Sequence, residues 1–180
     1  PITNHHFLEH NDTTKKFYGI IPIEFSASML YFHHKGIVQN LIHNLKYKNH
    51  QEVGSLLGKW YAKDLETVSQ IQTVSEIIPV PLHKKRLEER GYNQVTTFCE
   101  ALSNELKIPY NPDLLYRSRY SKTQTKKDKE NRKDIANSLF DVNFTEADHN
   151  KHFLLVDDVM TSGATLEACA KALLKIPNCK

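Results

Sequence analysis

"LLVDDVMTSGAT", residues 154–165, is the stretch that decides the fold. An apolar run ends in two adjacent acids, Asp157 and Asp158, and a short segment of small and hydroxyl-bearing residues follows. Beyond it, apolar residues recur at helical spacing. The stretch therefore predicts a buried strand over 153–156, a tight loop, and a helix over 162–175.

The acids and the loop suit a ligand that carries both hydroxyls and a phosphate. Carboxylates accept hydrogen bonds from sugar hydroxyls and bind hard cations such as Mg²⁺. Gly163 allows a tight turn, and the start of a helix offers unpaired backbone N–H groups to an anion. The loop hydroxyls come from Thr161, Ser162 and Thr165. A sugar 5-phosphate is the ligand that this pattern predicts.

Motifs of other phosphate-binding and acid-pair proteins match the stretch less well. Neither G-x-G-x-x-G nor G-x-x-x-x-G-K-[ST] occurs in the chain. A receiver domain also has an acid pair, but that pair follows the first strand, whereas this one lies near the end of the sequence. The plain alternative is a polar strand end followed by a Thr or Ser helix cap.

Elsewhere, strand and helix patterns alternate along the chain. Apolar runs predict strands at 76–79 and 114–120, and helical spacing predicts helices from residue 36, over 51–68 and over 93–107. Lys46 and Lys48 suit the negative end of the first of these helices. The core face expected for the second consists of Val53, Leu56, Leu57, Trp60, Tyr61 and Leu65. Alternation of this kind predicts an α/β fold with a doubly wound, mainly parallel sheet.

The composition is that of an ordinary globular protein. The 180 residues are 39% hydrophobic and 25% charged, with a formal net charge of +3. Three widely spaced cysteines fit free thiols, and the absence of a signal-peptide pattern and of a long apolar run predicts a cytoplasmic protein without a membrane span. The polar residues 1–19 are expected to form an extended arm, in which His5, His6 and His10 are solvated rather than metal ligands.

Several stretches together resemble one branch of the type I phosphoribosyltransferases. "LLVDDVMTSGAT" is similar to the motif with which these proteins bind phosphoribosyl pyrophosphate (PRPP). "IIPVPLHKKRLEERGYNQ", residues 77–94, resembles the signature of the ComF/GntX family, which is also described as amidophosphoribosyltransferase-like. Residues 36–58 and 117–140 resemble the same family, so the resemblance covers about residues 30–175.

The resemblance implies roles for individual residues. Asp157 and Asp158 would be the catalytic acids, binding the ribose hydroxyls directly or through Mg²⁺ as a cofactor. The 5-phosphate would be bound by Thr161, Ser162, Gly163, Ala164 and Thr165. Candidates for the pyrophosphate side are Val80, Pro81, Arg86 and Arg90. A flexible loop over 118–133 would close on the site, with Arg117, Gln124 and Arg132 as matching polar positions.

The chain also departs from the family pattern. The family usually begins with a zinc ribbon, so residues 1–35 would be an appendage left after a missing ribbon, and residues 36–180 the phosphoribosyltransferase-like domain without its C-terminal strand. Met160 stands where 6-oxopurine phosphoribosyltransferases carry an acid, which disfavours purine salvage. The amidotransferase label is also disfavoured, because Pro1 stands where that enzyme needs a cysteine nucleophile.

Three functions follow from the resemblance. One is Mg²⁺-dependent phosphoribosyl transfer to an unidentified acceptor, with release of pyrophosphate. The second is an accessory role in DNA uptake or DNA metabolism, with DNA or DNA-uptake proteins as partners and basic segments at 83–90 and 122–133 as contacts. The third is a PRPP-sensing regulator. A homodimer is a candidate assembly, and the acceptor determinant is expected around residues 25–35 and in the flexible loop.

Overall fold

A computed structural model of the chain describes residues 2–118 and 139–180. Helices α1–α6 are Asp12–Lys15, Ile37–Tyr47, Glu52–Leu65, Lys84–Arg90, Thr96–Leu106 and Ala164–Leu173. Strands β1–β4 are Glu76–Pro79, Leu115–Arg117, Phe140–Val142 and Phe153–Val156. Short 3₁₀ turns lie at His5–Phe7, Ser69–Thr73 and Glu146–Asp148. The strand predicted at 153–156 and the end of β1 at Pro79 are confirmed.

The sheet that positions the acid pair is small and parallel. β1 pairs with β4, with Glu76 opposite Phe153 and Pro79 opposite Val156. Tyr110 adds one parallel bridge to Ile77, while β2 and β3 form a separate antiparallel pair. The predicted α/β fold is confirmed, although parallel pairing between the strands of the described residues is confined to β1 and β4.

Helices cover both faces of this sheet. Successive side chains of a strand point to opposite faces, and the buried Ile77 and Ile78 accordingly belong to different hydrophobic clusters. Ile77 packs with α3 and α5, including the buried Leu102. Ile78 packs with α6, including the buried Cys169. Coverage of both faces is what a doubly wound arrangement predicts.

Helix α3 turns a different face to the core than its pattern predicts. Tyr61 and Leu65 are buried as expected, but Leu56 is 68% exposed and Trp60 44% exposed. The close contact with α5 is made through glycines instead. A Cβ atom at Gly58 would lie 2.7 Å from both the Ala101 Cβ and the Phe98 carbonyl oxygen. Hydrophobic periodicity missed this face because glycine adds nothing to an apolar pattern.

The N-terminal segment is packed rather than extended. His5 and His6 are only 4% and 5% exposed, so the prediction that they are solvated is wrong, whereas His10 is exposed. The side-chain amide of Asn11 donates to the carbonyl oxygens of His5, Leu8 and Ser26, and its oxygen caps α1. His5 is buried with a hydrogen bond to the Thr13 hydroxyl, whereas the ring nitrogens of His6 have no hydrogen-bond partner among the described residues. The domain boundary at residues 35 and 36 stays a prediction.

Candidate functional site

The predicted site lies where β1 and β4 end side by side. Both strands run in the same direction, so the residues that follow them leave the same edge of the sheet. The Val80 N–H donates to the Val156 carbonyl oxygen at 2.8 Å, which places Val80 beside the start of the acid pair. Ligands of parallel α/β sheets bind outside the carboxyl ends of strands, and this edge has that location.

The two acids occupy different electrostatic environments. Asp157 Oδ1 accepts a hydrogen bond from the Asp158 backbone N–H at 2.8 Å. Burial, reinforced by the neighbouring Asp158 carboxylate, raises the pKa of Asp157 to about 6. The Asp158 side chain is 8% exposed, and its Oδ2 lies 2.6 Å from the Lys46 ammonium. The pair is thus one desolvated acid beside one ion-paired acid.

The loop after the acids has the shape of an anion cradle. Gly163, with φ of +87°, precedes α6, and this left-handed conformation favours glycine. A depression of about 30 Å³ is lined by Asp157 and by residues 159–166. Four of the five predicted phosphate-binding residues are exposed there: Thr161, Ser162, Ala164 and Thr165. The structure therefore brings Asp157 and the predicted loop to one accessible concavity, whereas Asp158 lines a larger adjoining cavity.

The N-terminal segment touches this loop, which the sequence did not predict. Lys16 Nζ donates to the Thr161 carbonyl oxygen at 2.7 Å. A Cβ atom at Gly163 would lie 3.2 Å from the ring of the buried Phe17. Both the positive φ and this contact therefore disfavour a larger residue at position 163.

Helix α2 and the segment "RGYNQ" meet beside the acids. The Tyr92 hydroxyl donates to the Leu45 carbonyl oxygen. The Arg90 guanidinium lies 5.0 Å from the Tyr47 ring centroid and donates to Gln94 Oε1 at 2.7 Å. These contacts hold the end of α2 that carries Lys46.

The other predicted contacts of a diphosphate are spread more widely. Arg86 is exposed on α4, and Pro81 is half-buried just after β1. Arg117 ends β2, with its guanidinium 5.3 Å from the Phe140 ring centroid. Gln124 and Arg132 lie outside the described residues. The pyrophosphate and flexible-loop roles stay predictions.

A larger cavity of about 530 Å³ adjoins the acid pair. Its walls are mostly apolar and include Phe25, Met29 and Phe98, and it also reaches Asp158 and Met160. Residues 21–32 contribute a continuous part of the lining. The segment expected to contact an acceptor therefore faces the same space as the acids.

The donors at the site suit a magnesium ion only if other ligands come from outside the protein. Across residues 2–118 and 139–180, no group of three or more His, Cys, Asp or Glu side chains is placed to hold a metal. Mg²⁺ is commonly bound by one or two carboxylates, with water and substrate phosphates as the remaining ligands. By number and type of donor Asp157 and Asp158 fit that pattern, with substrate oxygens as further ligands, but the Lys46 ammonium 2.6 Å from Asp158 Oδ2 is a competing positive charge.

Comparisons with known proteins agree with this geometry. Residues 96–180 match the family model "Phosphoribosyl transferase domain". This match and the α/β fold together support a type I phosphoribosyltransferase-like protein. More narrowly, its similarity to competence protein F and competence protein ComFC supports a ComF-family phosphoribosyltransferase-like protein.

Similar curated proteins carry DNA-related names. The chain is 30% identical over 138 residues to the DNA utilization protein YhgH of Shigella flexneri, covering 75% of this chain and 60% of that protein. It is 29% identical over 140 residues to competence protein F of Haemophilus influenzae, covering 76% and 61%. Competence protein ComFC of Bacillus subtilis is 32% identical over 99 residues, covering 55% and 38%. The chain thus spans about 60% of the length of the first two relatives.

Two further comparisons gave negative findings. No solved structure matches the chain. Within the described ranges, no helix has the length and apolar character needed to cross a membrane.

Proposed function

We propose that the chain binds Mg²⁺–PRPP and transfers its phosphoribosyl group to an acceptor, releasing pyrophosphate. The single observation that carries this proposal is the concavity that joins Asp157 to the loop at residues 161–165. An acid pair beside an open helix start offers acceptors for two ribose hydroxyls and donors for one phosphate.

The residues of the chain would act mainly by positioning and by electrostatics. The bond between the anomeric carbon and the diphosphate oxygen breaks, and the diphosphate leaves with the electron pair. A bond from the acceptor to the same carbon forms, and the proton that the acceptor loses passes to water or to the departing diphosphate. When bound, Mg²⁺ would neutralise charge on the leaving diphosphate. Asp157 and Asp158 would hold the ribose, and loop N–H groups the 5-phosphate, so that both reactants are aligned.

The acceptor would enter the 530 Å³ cavity beside the acids. Its mostly apolar walls favour an acceptor with a flat, apolar body over a highly charged one. Met160 lies in this lining, which agrees with the expectation that a 6-oxopurine is not the acceptor.

Calorimetry tests the proposal directly. PRPP with MgCl₂ should bind the wild type, and Asp157→Asn/Asp158→Asn should reduce the affinity at least about tenfold, because each lost charge-assisted hydrogen bond contributes about 1.5–3 kcal/mol. Asp113→Asn, an exposed acid outside the site, is the matched control. Pyrophosphate release is then measured with bases and amines as acceptors. No binding by a folded wild type would refute the proposal.

A role in DNA uptake or DNA metabolism is the second candidate, and the names of the relatives favour it. The basic segment at residues 83–90 weakens the DNA role, because Lys84 lies 3.7 Å from Glu88 and Lys85 lies 3.9 Å from Glu89 on α4. The two glutamates thus offset two of the four basic residues of this segment and leave the exposed Arg86 and the half-buried Arg90 as its remaining cations. If DNA is the partner, its affinity should fall by about one log unit per log of salt for each phosphate neutralised. Ligand binding without pyrophosphate release from any acceptor would favour this role or a PRPP sensor.

A further inference from the structure

We infer that Lys46 is a positioning residue of the sugar site: its ammonium is the built-in counter-cation of Asp158. The acid pair can therefore accept the ribose hydroxyls of a 5-phosphorylated sugar without a divalent ion at the carboxylates. This inference rests on the proposed function. It adds a statement of which part of the substrate needs the metal. Within PRPP, that need lies at the diphosphate end.

The ion pair is close and largely shielded from water. Lys46 Nζ lies 2.6 Å from Asp158 Oδ2, and the side chains are 21% and 8% exposed. Exposed ion pairs contribute little, but a shielded pair holds both partners because either charge alone is costly to bury. Asp158 is thus fixed in place before any ligand arrives.

The position of Lys46 is itself set by several contacts. It lies in the last turn of α2, after the buried Leu45, whose carbonyl oxygen accepts a hydrogen bond from Tyr92. On its other side, the Tyr47 ring lies under the Arg90 guanidinium. The residues on either side of Lys46 are thus anchored, which fixes the backbone that carries the ammonium to Asp158.

The charge balance favours direct binding of hydroxyls. A carboxylate has about four lone-pair positions, so an ion pair with Lys46 leaves Asp158 able to accept from a sugar hydroxyl. A divalent ion at the same carboxylate would lie close to a fixed positive charge, and like charges repel strongly where water is excluded. The Lys46 ammonium therefore lowers the affinity of the acid pair for a metal but keeps its affinity for a diol.

Ribose 5-phosphate separates the two ends of the substrate, because it carries the hydroxyls and the 5-phosphate but no diphosphate. Calorimetry should give the same affinity of the wild type for it in EDTA and in MgCl₂. Lys46→Met should lower that affinity about tenfold or more in EDTA, as truncation of one partner of a buried charge pair does. Lys46→Arg should retain most of it, and inorganic phosphate should bind Lys46→Met as it binds the wild type.

Lys48→Met is the matched control, since Lys48 is exposed two residues further along. Ribose 5-phosphate binding that requires Mg²⁺ in the wild type would overturn the inference and leave the proposed function intact. Unchanged affinity in Lys46→Met would also overturn it. If the wild type binds neither ribose 5-phosphate nor PRPP, the proposed function fails and the inference fails with it. Should Lys46→Met not fold, the EDTA comparison on the wild type decides alone.

Discussion

Asp157→Asn should raise the free energy of unfolding and Asp158→Asn should lower it, although the two residues are adjacent. Asp157 is desolvated, and its pKa rises from an ordinary value of 3.8 to about 6. A difference of about two units corresponds to about 3 kcal/mol of unfavourable free energy in the folded state at neutral pH. Asp157→Asn removes that charge and keeps an oxygen that can accept from the Asp158 N–H. We expect a gain in the free energy of unfolding of up to about 3 kcal/mol at pH 7.5.

The sign of the pH dependence follows from the raised pKa. Between about pH 4 and pH 6 the folded chain binds a proton at Asp157 that the unfolded chain does not, so this residue makes the wild type less stable as pH rises through that window. Below pH 4 the carboxyl is protonated in both states. The gain from Asp157→Asn should therefore be largest at pH 7.5 and vanish near pH 4.

Asp158→Asn should instead destabilise the chain, because it leaves the shielded Lys46 ammonium without its carboxylate. Urea denaturation of the wild type and both variants at pH 7.5 and pH 4.5 measures these differences. At neutral pH, 1 kcal/mol corresponds to about 2–4 °C in Tm for a chain of this size. Loss of stability in Asp157→Asn, or a gain that does not depend on pH, would refute the reasoning.

Three further predictions concern the framework around the site. Gly58→Ala should lower the free energy of unfolding by about 1–2 kcal/mol. The added methyl group would clash with Phe98 on α5, and this cost outweighs a helix-propensity gain of about 1 kcal/mol. Lys59→Ala, on the exposed side of α3, is the control. Lys151→Met should cost about 2–3 kcal/mol in urea denaturation at pH 7, since it leaves the carboxylates of Glu76 and Asp148 without their cation. The Lys151 ammonium lowers the pKa of Asp148, so the cost should shrink in acid as that carboxyl protonates. Native iodoacetamide labelling, read by mass spectrometry, should modify the half-buried Cys179 well before the buried Cys99 and Cys169, because the reagent can reach its sulfur more easily. Burial raises the pKa of all three thiols, and preferential labelling of Cys99 or Cys169 would contradict this prediction.

The local parts of the site were predictable from the sequence. Asp157, Asp158 and the loop at 161–165 are contiguous, so one strand–loop–helix pattern was enough to bring them together. The position of Val80 near the acid pair was also predictable, because two parallel strands place their carboxyl ends at one edge of a sheet. Interactions of this sort depend on neighbours in sequence or on a general rule of topology.

Contacts between distant residues were not predictable in the same way. Lys46 suited the negative end of its helix, and no pattern in one sequence links it to Asp158. The burial of His5 and His6 was missed for a related reason, since a polar, aperiodic segment gives no sign that His5 bonds Thr13 or that His6 packs against the Tyr61 ring. The glycine face of α3 was missed because hydrophobic spacing assigns no value to a residue whose contribution is close approach.

The division of the core by the sheet has a consequence for hydrogen exchange. Ile77 and Ile78 belong to clusters on opposite faces, and the acid pair follows β4, which contributes to both. Each cluster could open separately in the free chain as its own cooperative unit. A sugar phosphate bound at the shared strand end would link the two units, so that amides of α5 and of α6 would be protected together. Ligand binding would then slow amide hydrogen exchange on both sides of the sheet, including at residues far from the ligand.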